Sequence, residues 1–486
     1  MNLKRVAAMI LVCVIVMAAV GGCTSSQQNS DVSGGEKSGA STDNSGGSED
    51  KQTDEKAKLL YTYWGSAFEK EAQAAAIEKF NEENPDVVVE ALHIPASGSQ
   101  YVAKLTAMVA SGTNPDVGYM DVPTAFVWAK EGKFYDIFEL IEKDPEWSKD
   151  KYVDDIFYMY EENKSFGTLS SINPRAIFYN KDCFTEAGIE LPPDKVENAW
   201  TWDQFVEVAK KLTIDMNGKT ALDPDFDPNR IRQYGIYLNP TDLATLSIFF
   251  DSNGVDLLTE DGTKLALDDP AAKEVLQLIH DLIYVHHVAP VPTDFANMPD
   301  GPTWLKNKQA AMFITGQWVL LDIAKLNFNY GIGVLPKIKE SRNIKDAGVR
   351  VIFKNTKYPE KAWELYKFLA NPAGALSLYK DGLWMPVLRE WYENEELFGQ
   401  WGKDNPAHPD SYKTAVADSL FDGTSTPSWA LRISNFAELN SVINPALQQV
   451  WLDSKSVDEV VDEIMKATEG MVQGYNPGYS HNSAYR

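Results

Sequence analysis

Cysteine is scarce: Cys13, Cys23 and Cys183 are the three in 486 residues, too few for a disulfide framework or a four-ligand zinc site. Positive charge is also short. Lys plus Arg number 45 against 70 Asp plus Glu, and the net charge of -25 repels phosphate backbones, which argues against a nucleic-acid partner. The apolar run Val6 to Val20 falls below the roughly 20 residues that a membrane-spanning helix needs. No GxSxG turn, P-loop or dinucleotide fingerprint occurs, and His280, His286 and His287 make no HExxH pattern, so no cofactor or metal is expected from these motifs. What the chain does have is length and aromatic surface. At about 150 residues per domain it suggests roughly three units, it is 44% hydrophobic, and it carries 13 tryptophans.

The first segment reads as an address. Lys4 and Arg5, the apolar run and Gly21-Gly22-Cys23 match the charged, apolar and small-residue regions of a secretory signal over residues 1–22. The small residues before Cys23 resemble a bacterial lipoprotein cleavage box, with Val20 in place of the usual Leu. That resemblance implies that Cys23 becomes the N-terminus and carries acyl chains, against the alternative of ordinary secretion. Residues 23–56 then form a tether of Ser, Gly, Asp, Asn, Gln and Glu, too polar to offset the entropy of folding, with a reach of roughly 30 Å.

In the body, strand and helix signals alternate. Leu59 to Trp64 reads as a buried strand. Ser66 with Glu69 starts a helix whose apolar positions Phe68, Ala72, Ala76 and Phe80 run to Asn84-Pro85. Val87 to Ile94 is a strand, Tyr101 to Ala110 a helix stopped by Gly112, and Val117 to Met120 a strand with Asp121 at its end. A second alternating stretch begins near Arg175 and continues through the helix Trp202 to Leu212 and the strand Tyr234 to Tyr237. Pro270 to Val285 and Pro359 to Leu369 also have helical spacing. The alternation predicts parallel sheets covered by helices, with ligands outside the carboxyl ends of strands. Asp223, Asp225, Asp227 and Asn229 alternate like calcium ligands, but Pro228 replaces the required Gly and Tyr234 stands where a closing Glu is expected.

Several fragments together resemble the extracellular solute-binding proteins of carbohydrate ABC importers, the maltose-binding-like group. They are Lys104 to Val117, Tyr179-Asn180-Lys181-Asp182-Cys183-Phe184 with Gly188, Thr201-Trp202-Asp203, Ala310-Ala311-Met312 leading to Gly316-Gln317-Trp318, and Gly331 to Pro336. The resemblance implies an α/β, two-lobed periplasmic-binding-protein-like fold of type II, its lobes joined by crossing segments near Ser171 to Pro174, Val349 to Phe353 and Gly423 to Pro427. Lobe one would combine 57–172 with 352–424, and lobe two 173–351 with 425–486. The implied role is a monomeric, lipid-anchored receptor on the outer face of the cell membrane. It captures a sugar, an oligosaccharide given the aromatic supply, and delivers it unbroken to an ABC permease. The rival readings are a surface glycoside-active enzyme, a solute-binding protein for a peptide or polyamine, and an adhesive surface protein.

Sugar recognition needs flat aromatic faces and fixed carboxylates or amides for the hydroxyl rim. Trp64 ends the first strand, Trp318 matches a position that stacks on sugar in relatives, and Trp384 and Trp429 lie in turn-like stretches; core packing is the alternative for each. Asp121 follows the third strand as a hydroxyl acceptor or a helix cap. Asn173 and Asn239 are amide candidates with turn-making as the alternative, and Asp242 and Arg175 are weaker candidates. Arg175 is equally explained as an interlobe ion pair.

Overall fold

The computed structural model describes residues 56–95, 99–297 and 300–481. Cys23 and the expected signal and tether lie outside these residues, except Lys56 at the tether's end. The strands in chain order are β1 (Ala57–Tyr63), β2 (Val87–His93), β3 (Val117–Met120), β4 (Phe157–Glu161), β5 (Lys164–Leu169), β6 (Arg175–Asn180) and β7 (Ile214–Asp215). They continue with β8 (Ile231–Leu238), β9 (Ala310–Gly316), β10 (Tyr330–Gly333), β11 (Asn343–Lys345), β12 (Val349–Ile352) and β13 (Ser425–Pro427). A six-stranded sheet runs β2-β1-β3-β12-β5-β4, a five-stranded sheet runs β10-β6-β9-β8-β7, and β11 pairs with β13 in a small third sheet.

The sheets are mixed, which corrects the expectation of parallel pairing. β1 runs parallel to β2 and β3, and β8 to β9, as strand–helix–strand units require. β12, however, returns antiparallel between β3 and β5, β4 and β5 form an antiparallel pair, and β6 is antiparallel to both its neighbours. β12 breaks the alternation because it comes from more than 170 residues away in sequence and enters the first sheet from the other direction. Its whole span, Val349–Ile352, sits in that sheet, so the boundary at 351/352 drawn from sequence cuts a strand.

Local sequence explains the elements around the cleft. β1 is buried along most of its length, with Tyr61 and Tyr63 in the core. The helix Ala67–Glu83 starts where the Ser66 hydroxyl accepts the Glu69 N–H at 3.2 Å, and it buries Gln73, Ala76, Ile77 and Phe80. Phe68 is 37% exposed, so the buried face starts later than the Phe68–Ala72 spacing suggested. In the helix Trp202–Leu212, Thr201 and Gln204 form a reciprocal cap, and Trp202, Phe205, Val206, Ala209 and Leu212 pack inward. The loop read as calcium-like is knit by another residue. The carboxylate of buried Asp215 accepts the backbone N–H groups of Asn217, Lys219 and Asp227 at 2.8, 2.8 and 3.0 Å, while Asp223 accepts from Thr220. Among the described residues no group of His, Cys, Asp and Glu is arranged to hold a metal ion.

The chain passes from the first sheet to the second between Leu169 and Arg175 and returns between Lys345 and Val349. Beside β13, fully buried Arg432 donates to Asp256 at 3.1 Å and to Asp251 at 3.3 Å. Asp251 also accepts from Thr426, and Asp256 from the Tyr475 hydroxyl.

Candidate functional site

The crossings open onto a cleft of about 480 Å³ lined by residues of the crossings and of segments that follow strands of both sheets. Trp64 and Gly65 follow β1, Glu69 lies in the first turn of the Ala67–Glu83 helix, and Tyr119 belongs to β3. Asn173 sits in the first crossing and Asp346, Ala347 and Gly348 in the second, while Trp318 and Asp322 follow β9.

Two half-buried tryptophans supply the flat surfaces, and each has a defined support. The Trp64 ring stacks on Tyr119 with centroids 4.0 Å apart and meets Tyr101 edge-on at 5.0 Å. Trp318 lies under the Arg175 guanidinium, whose carbon is 4.8 Å from the ring centroid. Its ring folds back over Gly316, where any Cβ would collide with the six-membered ring. Trp384 also lines the cleft, but it is buried, with the Arg350 guanidinium 5.1 Å from its ring.

The polar groups are mostly acidic. Glu69 is half-buried at the cleft, beside Gly65, whose φ of +140° suits glycine and leaves room for the carboxyl. Burial first, and the charge of Asp322 second, push the Glu69 carboxyl up to about 8. Burial also raises Asp322, against a hydrogen bond from the Ser66 hydroxyl. Asp346 is raised by burial, with the Arg175 charge opposing. Asn173 is buried, and its side-chain oxygen accepts from Ser171 at 3.1 Å and from Gln317 at 2.9 Å. The arrangement offers ring faces together with carboxyl and amide oxygens, which suits a ligand with an apolar face and a rim of donors.

Of the residues singled out by sequence, Trp64, Asn173, Trp318 and Trp384 come together in this cleft. Five others are placed elsewhere. Asp121 caps the helix Val122–Lys130 through the Thr124 N–H at 3.0 Å, and burial raises its carboxyl. Asn239 accepts from Thr241 in a turn, and Asp242 caps the helix Leu243–Ser252. Arg175 is buried behind the cleft, bound to Asp346 at 3.1 Å and facing Asp242 at 3.6 Å, which matches the ion-pair alternative. Trp429 is core: it starts the helix Trp429–Arg432 and packs edge-on against Phe250. Glu69, Tyr119, Asp322 and Asp346 also line the cleft and carry no sugar-binding signal in the sequence. Glu69 carried only a capping signature, and Asp322 and Asp346 lie in no motif, so only the fold brings them to the cleft.

The sequence profile of the bacterial extracellular solute-binding proteins matches residues 61–376. A putative binding protein of Brucella abortus is 22% identical over 413 residues, covering 81% of this chain and 88% of its own length. An ABC substrate-binding protein of Listeria monocytogenes, in complex with cycloalternan, superposes with a TM-score of 0.73 at 21% identity, over 86% of this chain and 99% of that one. The GacH receptor of Streptomyces glaucescens, known unliganded and with acarbose, gives a TM-score of 0.68 at 17% identity, over 87% of this chain and all of that one (100%). At these identities the superpositions establish the two-lobed fold, and the profile match, which spans more than half of the sequence, establishes that the chain belongs to the bacterial extracellular solute-binding protein family.

Proposed function

We propose that the protein is the substrate-binding lipoprotein of an ABC importer. It works outside the cytoplasm, is tethered through acylated Cys23, and captures a saccharide between its two lobes for delivery to a membrane permease. It acts as a monomer and leaves the glycan intact. The observation that carries the sugar assignment is the pairing of two supported tryptophan faces, Trp64 and Trp318, with carboxyl and amide oxygens in a cleft of about 480 Å³. C–H faces of pyranoses pack on such rings, and hydroxyls donate to such oxygens. The ABC substrate-binding relative bound to cycloalternan and the receptor bound to acarbose support the reading. Closure about the crossings would bind ligand better than the open form does, and that difference drives capture.

One observation favours a second reading. Among the described residues Glu69 and Asp322 line the cleft in no ion pair, whereas Asp346 and Asp242 share Arg175. A ligand bearing an ammonium group, an amino sugar or a polyamine, would neutralise that pair. Calorimetric titration of maltotriose, cellotriose, xylotriose, chitosan trimer and spermidine separates the readings. Heat from a neutral trisaccharide supports the first, and heat from cationic ligands alone, weakening steeply with salt, supports the second. Reducing ends released from any of these glycans would overturn both.

A further inference from the structure

The geometry points to Arg175 as a positioning residue: it does not touch ligand but fixes the Trp318 ring against the crossings and so sets the surface on which ligand lands. This rests on the cleft being the ligand site. Each of the three nitrogens of the Arg175 side chain donates a hydrogen bond. Nε donates to the Thr245 hydroxyl at 3.0 Å, Nη1 to the Asn173 carbonyl in the first crossing at 2.9 Å, and Nη2 to Asp346 in the second crossing at 3.1 Å. Its backbone is pinned as well, since the Asn343 side chain receives the Arg175 N–H and donates to its carbonyl, both at 2.8 Å. Arg175 is also the cross-strand partner of Gly316, two residues before Trp318, and the Gln317 N–H donates to the Pro174 carbonyl at 3.2 Å. The guanidinium over Trp318 is therefore held by both crossings and by the start of the helix Leu243–Ser252.

Trp64 is supported differently. Its ring stacks on Tyr119 of the first sheet, and both rings lie against Gly348 in the second crossing. The Trp318 plate rests on a guanidinium rather than on a ring. A flat, forked cation with all three nitrogens bonded has one orientation, and a lysine at the same position would keep the charge while losing the fork. The ring would then be free to leave Gly316, and affinity would fall although no ligand contact had been removed.

Fluorine NMR of protein labelled with 5-fluorotryptophan reads the ring directly, with the Trp318 signal among the 13 identified through W318F. In the ligand-free R175K variant that signal is expected to shift or broaden while those of Trp384 and Trp429 stay in place. Calorimetry with the trisaccharide that binds the wild type should show a loss of about tenfold in R175K, and less than about twofold when the same change is made in W318A, because the residue acts through the ring. A Trp318 signal that stays in place, or an equal loss in the W318A background, overturns the proposal. Should R175K not fold, T245V removes a single guanidinium bond, and a smaller shift of the same signal is expected; no shift in T245V then counts against it. If no saccharide binds the wild type, the carbohydrate reading fails while the NMR arm still decides the positioning role.

Discussion

Two clusters of carboxylates in this molecule have opposite company. Beside β13, Asp251 and Asp256 share the fully buried Arg432, with Thr426 and Tyr475 donating as well. Burial still raises Asp251 to about 6, with the Arg432 charge opposing. In the cleft, Glu69 and Asp322 face each other with hydroxyl and backbone donors but no cation among the described residues, and Glu69 rises to about 8. Acids that hold the fold were given a partner from the same chain. At the opening Asp346 shares Arg175, whereas Glu69 and Asp322 were left with spare acceptor capacity, a cost that a ligand or a proton can relieve.

The largest test of that contrast is Arg432→Met. It strands two buried carboxylates and is expected to lower stability by about 3–5 kcal/mol in urea unfolding; a loss below about 1 kcal/mol would mean that the cluster does not hold the fold. Next comes Trp318→Ala, expected to weaken saccharide binding by about thirtyfold, about 2 kcal/mol, with little change in stability. Trp429→Ala should show the reverse pattern, since that ring packs in the core, and calorimetry beside thermal melts checks both.

A pH titration sharpens the cleft side. The Glu69 carboxyl is raised in the structure from its ordinary 4.5 to about 8, so the folded protein holds that proton more tightly than the unfolded chain does. Its contribution to stability is fully present below 4.5 and is lost as pH rises to about 8. Urea unfolding should accordingly show stability falling across that window and then levelling off. Glu69→Gln should flatten the profile, and an unflattened profile would assign the proton elsewhere. The smallest effect expected is at low pH: at about pH 4 Glu69→Gln should change stability by less than about 1 kcal/mol, because the acid is protonated there and the amide keeps its hydrogen bonds.

Much of the fold was legible because its signals are local. The Ser66 cap, the Thr201–Gln204 cap, and the strands ending at Tyr63 and Met120 all follow from spacing within a dozen residues. β12 was not legible as an antiparallel insert, since its partners β3 and β5 lie far away in sequence and four buried residues carry no register signal. The aromatic part of the cleft was readable at strand ends and in the Gly316-Gln317-Trp318 fragment, whereas Trp429 has the same kind of turn-like neighbourhood and lies in the core. The acidic part was not readable: 70 acidic residues offer no way to choose Glu69 and Asp322 until the helix after β1 and the helix after β9 meet at one opening.

The central claim is that the cleft between the two sheets holds an intact saccharide on the Trp64 and Trp318 rings. A crystal structure of the protein grown with the trisaccharide that binds most tightly tests it most directly. The expected result is an unbroken glycan packed on Trp318, with hydroxyls donating to Glu69 or Asp322 or accepting from the Asn173 amide N–H. A glycan bound outside this cleft, or cleaved within it, would contradict the account.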